Sequence, residues 1–420
     1  MRRAIVIGGG VIGLSAAVRL LQRGLSVTVI DAATMPGAAS WGNAGHIAIE
    51  QVEPLASWPV LRSAPRRLFA RGGALALPLP QIRHWLPFAC RMAAASSAER
   101  VANGRSALRS LLTIAMPAWR DLVEHIGAAE LLRETGHLVV WESSATAAAG
   151  LAAWRSADIG TARFHECDAD ELRALAPLTK RSVAGAIRFE NTGQIADLPK
   201  LSEALRNCLR AHQGELLNAT ARRVISESGG STVVLDTGER LPADLVVIAA
   251  GVASRQLLEP FCQPVPLIAE RGYHLQMTDH QWPEFPPVVF EDRSLIVTRF
   301  DSGLRAASFV EFSSPGAPPD PRKWQRLRTH VEALGLPCGP PANQWMGARP
   351  TLPDYLPAIG RLPNAPNILY AFGHQHLGLT LAAVTADVVG QLATQSATTV
   401  DLSRFDIRRF SHGAQVKENQ

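Results

Sequence analysis

The stretch IVIGGGVIGLSAAVRLLQRG, residues 5–24, decides the fold predicted for this 420-residue chain. The run from Ala4 to Ile7 is short and apolar, as is typical of a buried parallel strand. LSAAVRLLQRG, residues 14–24, has the apolar spacing of a helix and ends on a glycine, which is a common helix stop. Between the strand and the helix stands the pattern G-x-G-x-x-G, made by Gly8, Gly10 and Gly13.

This glycine pattern is typical of a turn that binds phosphate. Gly8 permits the tight bend, Gly10 lets the main chain approach a pyrophosphate, and Gly13 lets the helix pack closely on the strand. The helix N-terminus, with Val11 and Ile12, presents unpaired N–H groups and a partial positive charge to the phosphates. We therefore expect these residues to hold a cofactor.

An acid follows the glycines at the distance that nucleotide binding requires. The second predicted strand, LSVTVID, ends at Asp31, about 20 residues after the pattern, where a carboxylate binds the ribose hydroxyls. A glycine-rich turn without a ligand is the alternative interpretation. The order of strand, glycines, helix, strand and acid favours a bound dinucleotide, but it does not distinguish FAD from NAD.

Another buried strand lies far along the chain. LVVIAAG, Leu245–Gly251, follows a predicted hairpin that turns at residues 236–238. The small residues at its end let the main chain lie close to a cofactor. A strand of this kind so late in the sequence indicates a nucleotide domain that is interrupted by insertions.

The composition is that of a globular protein, with 47% hydrophobic and 19% charged residues. The net charge of +5 comes mostly from arginine and forms no block, which argues against nucleic-acid binding. Five cysteines without a CxxC pair argue for reduced thiols and against a disulfide framework or a zinc site. No apolar run reaches the roughly 18 residues of a membrane span. We expect no export signal, because the first apolar run breaks at once into glycines, and we expect a cytoplasmic protein.

Four segments carry a likeness that is more specific. They are the glycine stretch with ASWGNAGHI (residues 39–47); LPADLVVIAAG (241–251); RGYHLQM (271–277) with GLRAASFVEF (303–312); and WMGARPTLPDYLPAIG (345–360) with AFGHQHLGLTLAAVTADVV (371–389). The first two are shared by many flavoproteins, and the last two are narrower. In these segments the chain resembles the FAD-dependent D-amino-acid oxidase and dehydrogenase superfamily, most closely the bacterial D-amino-acid dehydrogenases.

The resemblance implies an α/β fold, with a discontinuous Rossmann-like FAD-binding domain plus an α+β substrate domain that has an antiparallel sheet. We expect the FAD-binding domain to comprise residues 1–56, 180–262 and 346–420, and the substrate domain to comprise residues 57–179 and 263–345. FAD is the implied cofactor. No cysteine or histidine stands in a clear covalent-flavin motif, so we expect FAD to be held non-covalently.

The resemblance also assigns flavin contacts by position. A loop at residues 39–45 passes the pyrophosphate and the isoalloxazine ring, and residues 373–380 close over the pyrimidine end of the flavin. The helix that follows would stabilise negative charge on the reduced ring. Beyond the glycine pattern and Asp31, the predicted contacts are Ala39, Ser40, Trp41, Asn43, Gly45, Val224, Ala250, Gly251, Gly373, His374, His376, Leu377, Gly378, Leu379 and Thr380.

Arg349 stands in WMGARPTLPDYLP, residues 345–357, where the other charged residue is Asp354. A buried guanidinium is costly unless it is paired and hydrogen-bonded. Its partner is therefore either Asp354, in a structural corner, or a carboxylate that arrives with a substrate. A guanidinium fork binds a carboxylate at two points, and the resemblance places the family's carboxylate-binding arginine here. We favour the substrate anchor, with Pro350 and Pro353 stiffening the main chain.

Other candidates surround the expected substrate. Tyr273 opens a strand that the resemblance assigns to the substrate pocket. His46 and His274 are candidates for acting on the substrate amine near neutral pH, or for hydrogen-bonded packing. Arg271 and Arg305 have as alternatives a contact with the substrate and a structural role.

The segment GHQHLG contains His374 and His376 in an H-x-H spacing, which suggests a metal site. The segment lacks a nearby acid or cysteine, and this pair alone is a weak ligand set. We expect no metal here and assign the segment to the flavin instead.

The function that these features imply is FAD-dependent oxidation of D-amino acids, including cyclic ones such as hydroxy-D-proline, by hydride transfer from Cα to flavin N5. The alternatives are a glycine- or sarcosine-type oxidase and a flavin subunit of a hetero-oligomeric dehydrogenase. The partners would be an amino acid and an electron acceptor, which is a quinone, a dye or oxygen. Arg83, Trp85 and Trp119 are candidates for a face that touches the inner membrane or the acceptor, or for core. The sequence sets neither the substrate side chain nor the oligomeric state.

Overall fold

The computed structural model describes residues 2–32, 37–262 and 264–411. Its strands in the described residues are, in chain order, β1 (Arg3–Ile7), β2 (Ser26–Asp31), β3 (His46–Ile47), β4 (Leu75–Ala76), β5 (Leu132–Arg133), β6 (His137–Trp141), β7 (Phe164–Glu166), β8 (Gly185–Phe189), β9 (Gly193–Ile195), β10 (Glu215–Asn218), β11 (Ala221–Glu227), β12 (Gly230–Leu235), β13 (Arg240–Ala243), β14 (Leu245–Ile248), β15 (Ile268–Met277), β16 (Val288–Phe290), β17 (Leu295–Phe300), β18 (Gly303–Ser313), β19 (Asn343–Thr351), β20 (Ala358–Leu362) and β21 (Ala365–Phe372). The α-helices are α1 (Val11–Gln22), α2 (Trp58–Arg67), α3 (Ile82–Ala95), α4 (Ala98–Leu112), α5 (Ala115–His125), α6 (Ser144–Ser156), α7 (Ala169–Ala174), α8 (Leu198–Ala211), α9 (Ser254–Leu258), α10 (Pro321–Leu334) and α11 (Ala382–Ala393).

The first sheet has the strand order β10-β2-β1-β14-β21-β20. Its strands are parallel except at the β20–β21 pair. Helix α1 packs on this sheet and contacts both α8 and α11. It begins at Val11, whose N–H donates to Ser40 Oγ at 3.1 Å. The glycine pattern therefore lies in a parallel sheet of the nucleotide-binding type. Strand β14, the predicted strand late in the chain, lies beside β1 in this sheet.

The predicted hairpin before β14 is confirmed. Strand β12 pairs antiparallel with β13, and the turn between them includes Gly238 at a φ of 88°. A left-handed φ of this kind favours glycine. With β11 these two strands form a small sheet of their own.

The second sheet runs β19-β15-β18-β17-β16-β6-β8-β7, with β4 also paired to β18. It is mostly antiparallel, and only the β16–β6 and β18–β4 pairs are parallel. One of its faces packs against α10 through a buried apolar cluster that includes Leu275, Met277 and Trp324. The α/β class and the antiparallel second sheet are confirmed.

Strand pairing places two expected domain bounds differently. Strand β8 pairs with β6, so the chain remains with the second sheet beyond residue 180. Strand β19 spans the expected bound at residue 346 and pairs along its length with β15. A hydrogen-bonded strand cannot be divided between two bodies, so both bounds move to the ends of these strands. With that change, the division into two domains stays a prediction.

A short fourth sheet joins segments that are distant in sequence. Strand β9 pairs with both β3 and β5. This places His46, at the start of β3, close to His137 at the start of β6. Among the described residues, no helix combines the length and the apolar composition that crossing a bilayer requires.

Candidate active site

The two larger sheets border a cavity of about 990 Å³. The ends of β1, β2 and β14 form one wall, and strands β15, β17, β18 and β19 contribute to the opposite wall. The carboxyl ends of parallel strands are where open α/β sheets bind ligands. A cofactor placed on the first sheet would therefore face the second sheet.

Missing side chains make room at the nucleotide end of this cavity. Gly8 has a φ of 117°, and a Cβ there would lie 2.3 Å from the Ala249 carbonyl oxygen. A Cβ on Gly9 would lie 2.0 Å from an Asp31 carboxylate oxygen. The N-terminus of α1 opens onto the same space and has no side-chain cap from Gly10. Glycines, helix N-terminus and Asp31 together fit the diphosphate and the ribose of a dinucleotide.

The predicted cofactor residues fall into two groups in the structure. Those that line the cavity are Gly8, Gly10, Ile12, Asp31, Ala39, Ser40, Asn43, Ala250, Gly251, His374, His376, Gly378 and Leu379. The other predicted residues are not in its lining, in the part of the chain that the structure describes: Val11, Gly13, Trp41, Gly45, Val224, Gly373, Leu377 and Thr380.

The contacts of three residues in the second group show what they do instead of lining the cavity. Gly13 lets α1 sit against the Gly8 carbonyl, since a Cβ would lie 1.9 Å from that oxygen. Val224 packs in the apolar core of the small sheet, which explains why it does not reach the cavity. Thr380 Oγ1 accepts a hydrogen bond of 2.9 Å from the Ala48 N–H and so ties two cavity-lining segments together.

Arg305 and His274, for which both a substrate contact and a structural role were open, hold the loop at residues 39–45. Arg305 donates to the Asn43 carbonyl and, over 2.9 Å, to Gln276 Oε1. His274 Nδ1 donates to the Gly42 carbonyl at 3.0 Å. Burial lowers the pKa of His274 to about 3, so His274 stays neutral near pH 7. Of the two roles left open for it, the structure agrees with hydrogen-bonded packing.

Arg349 lies in the cavity wall, and its protein partner is Glu270. Arg349 Nη1 donates to Glu270 Oε1 and to the Phe309 carbonyl, each at 3.3 Å. Asp354 pairs with Arg409 at 2.6 Å, so the proposed structural pair of Arg349 with Asp354 is wrong. The side chain of Arg349 remains 27% exposed to the cavity.

Glu270 is a residue that the sequence did not reveal. It is buried, stands directly across from Arg349 in the β15–β19 register, and accepts hydrogen bonds from Tyr355 at 3.0 Å and Thr351 at 3.3 Å. These bonds fix the carboxylate that in turn orients the guanidinium. Only the register of two strands, 79 residues apart at this pair, brings the two together.

Glycine also shapes the space around the guanidinium. A Cβ on Gly272 would lie 2.2 Å from Arg349 Nη2, so the side chain lies across the glycine. Trp345 is accommodated in the same way, because Cβ atoms on Gly42 and Gly347 would lie within 2.2 Å of its ring. Trp345 stacks on His274 with the ring centroids 5.1 Å apart. None of these contacts was predicted from the sequence.

Tyr273 borders the cavity, but its hydroxyl is on the other face of the sheet. It lies in the middle of β15 rather than at its start, packs with Trp324, and bonds to Glu311 at 3.3 Å and to the Asp320 N–H at 3.1 Å. Arg271 pairs with Glu311 on the same face. Side chains alternate along a strand, so Tyr273 and Arg271 cannot share the face of Gly272 and His274. The resemblance assigned Tyr273 to the substrate pocket, and the position of its hydroxyl does not support a catalytic role there.

His46, Glu50 and His137 form a buried group at the cavity wall. Each offers one potential metal-ligand atom, and these atoms all lie within 4.8 Å of one another. His46 Nε2 and Glu50 Oε2 are 4.0 Å apart, and neither has a hydrogen-bond partner in the described residues. Burial raises the pKa of Glu50 to about 8 and lowers that of His46 to about 4. The alternative in which His46 titrates near neutral pH is therefore wrong.

The histidines of GHQHLG turn to different partners. His374 bonds to Thr385 Oγ1 in α11 at 3.0 Å, whereas His376 bonds to Gln51 Oε1 at 2.7 Å. Burial lowers the pKa of His374 to about 3 and that of His376 to about 4. Both therefore act as neutral hydrogen-bonding groups in the wall.

The three residues considered for a face that touches the membrane or the electron acceptor are only partly at the surface. Trp119 is fully buried, and its Nε1 donates to the Leu379 carbonyl at 3.0 Å. Of the two alternatives for Trp119, core is therefore confirmed and the interfacial role is wrong. Trp85 is half-buried and donates to the Pro78 carbonyl. Arg83 is exposed.

Comparison with known proteins finds a family model and curated relatives that match nearly the whole chain. A family model described as FAD dependent oxidoreductase matches residues 3–392. The chain is 32% identical to a D-amino-acid oxidase of Bradyrhizobium diazoefficiens, over 97% of this chain and 99% of that protein. It is 29% identical to D-amino acid dehydrogenase 2 of Ralstonia nicotianae, over 96% and 99%.

Solved structures share the fold at lower identity. Glycine oxidase from Geobacillus kaustophilus superposes with a TM-score of 0.71 at 21% identity, covering 97% of this chain and 99% of that one. Iminodiacetate oxidase from Chelativorans sp. BNC1 has a TM-score of 0.70 at 17% identity, covering 96% and 98%.

Proposed function

Because the chain belongs to the FAD-dependent oxidoreductase family, we propose that it oxidises D-amino acids at Cα, with FAD held non-covalently in the cavity. Bound FAD supplies a hydride acceptor. The observation that carries the proposal is Arg349, a cavity-facing guanidinium in the wall opposite the glycine turn. The likeness to a D-amino-acid oxidase and to a D-amino acid dehydrogenase supports the choice of substrate.

The proposed roles of the protein groups are binding and orientation. Arg349 binds the substrate carboxylate through the donors that its bond to Glu270 leaves available. Glu270 orients the guanidinium, and Arg305 with His274 holds the loop at residues 39–45 against the second sheet. Such fixed geometry brings Cα to a defined position, and positioning of this kind lowers the barrier to reaction.

The test is anaerobic bleaching of the yellow protein by paired D- and L-amino acids, with glycine, sarcosine and a hydroxy-D-proline in the same panel. Bleaching by D-isomers and not by their L-partners supports the proposal. Bleaching by glycine or sarcosine alone would assign the chain to the alternative oxidase class. No bleaching by the single chain with any member of the panel would favour a subunit of a hetero-oligomer.

We further propose that this enzyme is a dehydrogenase that works at an anionic membrane surface. Residues 54–98 contain six arginines and no aspartate or glutamate. The large hydrophobic residues that are exposed in the described chain all lie in this segment: Trp58, Leu79, Ile82 and Leu86. Apolar groups beside cations suit a bilayer of anionic lipids. Helix α2 in this segment also borders the cavity through Val60, Leu61 and Arg67.

Vesicle sedimentation tests the membrane proposal. The enzyme should sediment with vesicles that contain phosphatidylglycerol and not with vesicles of phosphatidylcholine alone. The double variant Leu79→Ser, Ile82→Ser should lose this binding, whereas Arg222→Gln, at an exposed site on β11, should retain it. Vesicle binding by the double variant equal to that of the wild type would refute the proposed membrane-binding surface. A parallel assay with oxygen and with a quinone separates oxidase from dehydrogenase.

A further inference from the structure

We propose that Glu50 accepts a proton from the substrate amine. This inference rests on the proposed oxidation of amino acids. It assigns a chemical role to a side chain that neither the glycine pattern nor the arginine anchor uses.

The geometry around Glu50 indicates a missing partner. Glu50 is 2% exposed and lines the cavity, and its Oε2 has no hydrogen-bond partner in the described residues. No salt bridge to an arginine or lysine of the described chain reaches it; the nearest basic atom is His46 Nε2 at 4.0 Å. A buried polar atom without a partner costs free energy, so such an atom at a cavity wall points to a ligand.

Two side chains, Gln51 and His376, lead from Glu50 towards the arginine anchor. The Gln51 side chain bonds to Glu50, and Gln51 Oε1 accepts from His376 Nε2 at 2.7 Å. His376 is close enough to Arg349 and Glu270 for their charges to act on its pKa. An α-amino acid carries its carboxylate and its amine on the same carbon, so a site for each is needed in one cavity. Arg349 and Glu50 both line the cavity, and the proposal assigns the carboxylate to the first and the amine to the second.

Oxidation at Cα requires the substrate ammonium group to lose one proton first. An ammonium nitrogen has no lone pair, so the hydride cannot depart from Cα until one N–H bond breaks and leaves its electron pair on nitrogen. The proton then forms an O–H bond on Oε2 of ionised Glu50, so an enzyme in which Glu50 is protonated must first lose that proton to solvent. Because burial raises the pKa of Glu50 to about 8, its carboxylate is a better match for an amine than an exposed one would be.

The groups that face Glu50 do not compete for this proton. His46, from the same segment, and His137, from β6, both have pKa values lowered by burial, and His137 Nδ1 bonds to Thr192 Oγ1 at 2.8 Å. Both rings are therefore neutral at pH 7. In the free enzyme below pH 8 Glu50 carries a proton, so binding of a cationic amine should release one proton to solvent. Above pH 8 Glu50 is already ionised, and this release should disappear.

Calorimetric titration with 2-aminoisobutyrate measures the release directly. This probe has the carboxylate and the amine of a substrate but no hydrogen on Cα, so it cannot be oxidised. In buffers of different ionisation enthalpy at pH 7, the holoenzyme should release about one proton per bound probe, and Glu50→Gln should release none. Isobutyrate, which lacks the amine, should cause no release in either protein. Absence of release from the wild type would refute the proposal without any variant.

Kinetics provide the second measurement. For a D-amino acid that bleaches the wild type, kcat/KM should rise with pH through a midpoint near pH 8 and level off above it. Glu50→Gln should lose this limb and fall by about 10²- to 10⁴-fold, with its flavin spectrum unchanged. Glu291→Gln, at another cavity-lining glutamate with a raised pKa, is the matched control and should keep the limb. A Glu50→Gln profile like the wild type would refute the inference but not the function, whereas a wild type that no D-isomer bleaches would refute the function itself.

Discussion

Replacement of Arg349 by alanine tests the anchor on which the proposed function rests. The guanidinium faces the cavity, and it is held by Glu270 and the Phe309 carbonyl at 3.3 Å. Truncation of one partner in a desolvated charge pair costs roughly 2–5 kcal/mol. At 1.36 kcal/mol for each tenfold in rate, kcat/KM should fall by roughly 30- to several-thousand-fold.

The same change also affects stability, because Glu270 is only 1% exposed and would lose its cationic partner. Its bonds to Tyr355 and Thr351 remain, so we expect the free energy of unfolding to fall by about 1–3 kcal/mol while FAD stays bound. Arg349→Lys, which keeps the charge without the fork, should lie between the wild type and the alanine variant.

Steady-state kinetics with the best D-amino acid, together with the flavin spectrum and thermal unfolding, provide the readout. Asp354→Ala is the control, because it breaks the pair with Arg409 outside the cavity and should change stability but not kcat/KM. Kinetics of Arg349→Ala equal to those of the wild type would refute the anchor. An equal loss in Asp354→Ala would mean that Arg349 acts through the fold.

Two further predictions follow from the wall of the cavity. Gly272→Ala places a Cβ 2.2 Å from Arg349 Nη2, so the guanidinium must move by roughly 1 Å, and kcat/KM should fall by about 10²-fold with the fold retained. The control is Gly316→Ala, which has open space around it and should leave kcat/KM unchanged. Normal kinetics in Gly272→Ala would contradict the close contact. The pKa of His274 is lowered from 6.5 to about 3, so its neutral form stabilises the folded protein fully above pH 6.5, and this contribution is lost as the pH falls towards 3. The melting temperature should therefore fall less on acidification in His274→Asn than in the wild type, and equal slopes would disprove the contribution.

The glycine pattern, Asp31 and the late strand before Gly251 were predictable because each depends on neighbours within a few residues. Strand, turn and helix are encoded by local periodicity and by glycine conformations, and these signals do not depend on distant parts of the chain. The resemblance extended this to FAD and to the second sheet. Arg349 was found because one cation in an apolar stretch requires a partner.

The identity of that partner was decided by tertiary structure. The β15–β19 register sets Glu270, rather than the nearby Asp354, against Arg349. The same register puts Tyr273 on the face away from the guanidinium, although the sequence favoured it for the pocket. Which side chains share a face depends on strand direction and pairing, and a sequence alone contains neither.

The buried group around Glu50 has the same origin. His46 and Glu50 are four residues apart, but His137 joins them only because β3, β9 and β6 bring distant segments together. Burial then shifts the pKa values of the group, and burial is a property of the packed molecule rather than of residue type. The sequence by itself therefore determined the cofactor turn and the need for an anion at Arg349, and long-range packing decided the partners and the protonation of the site.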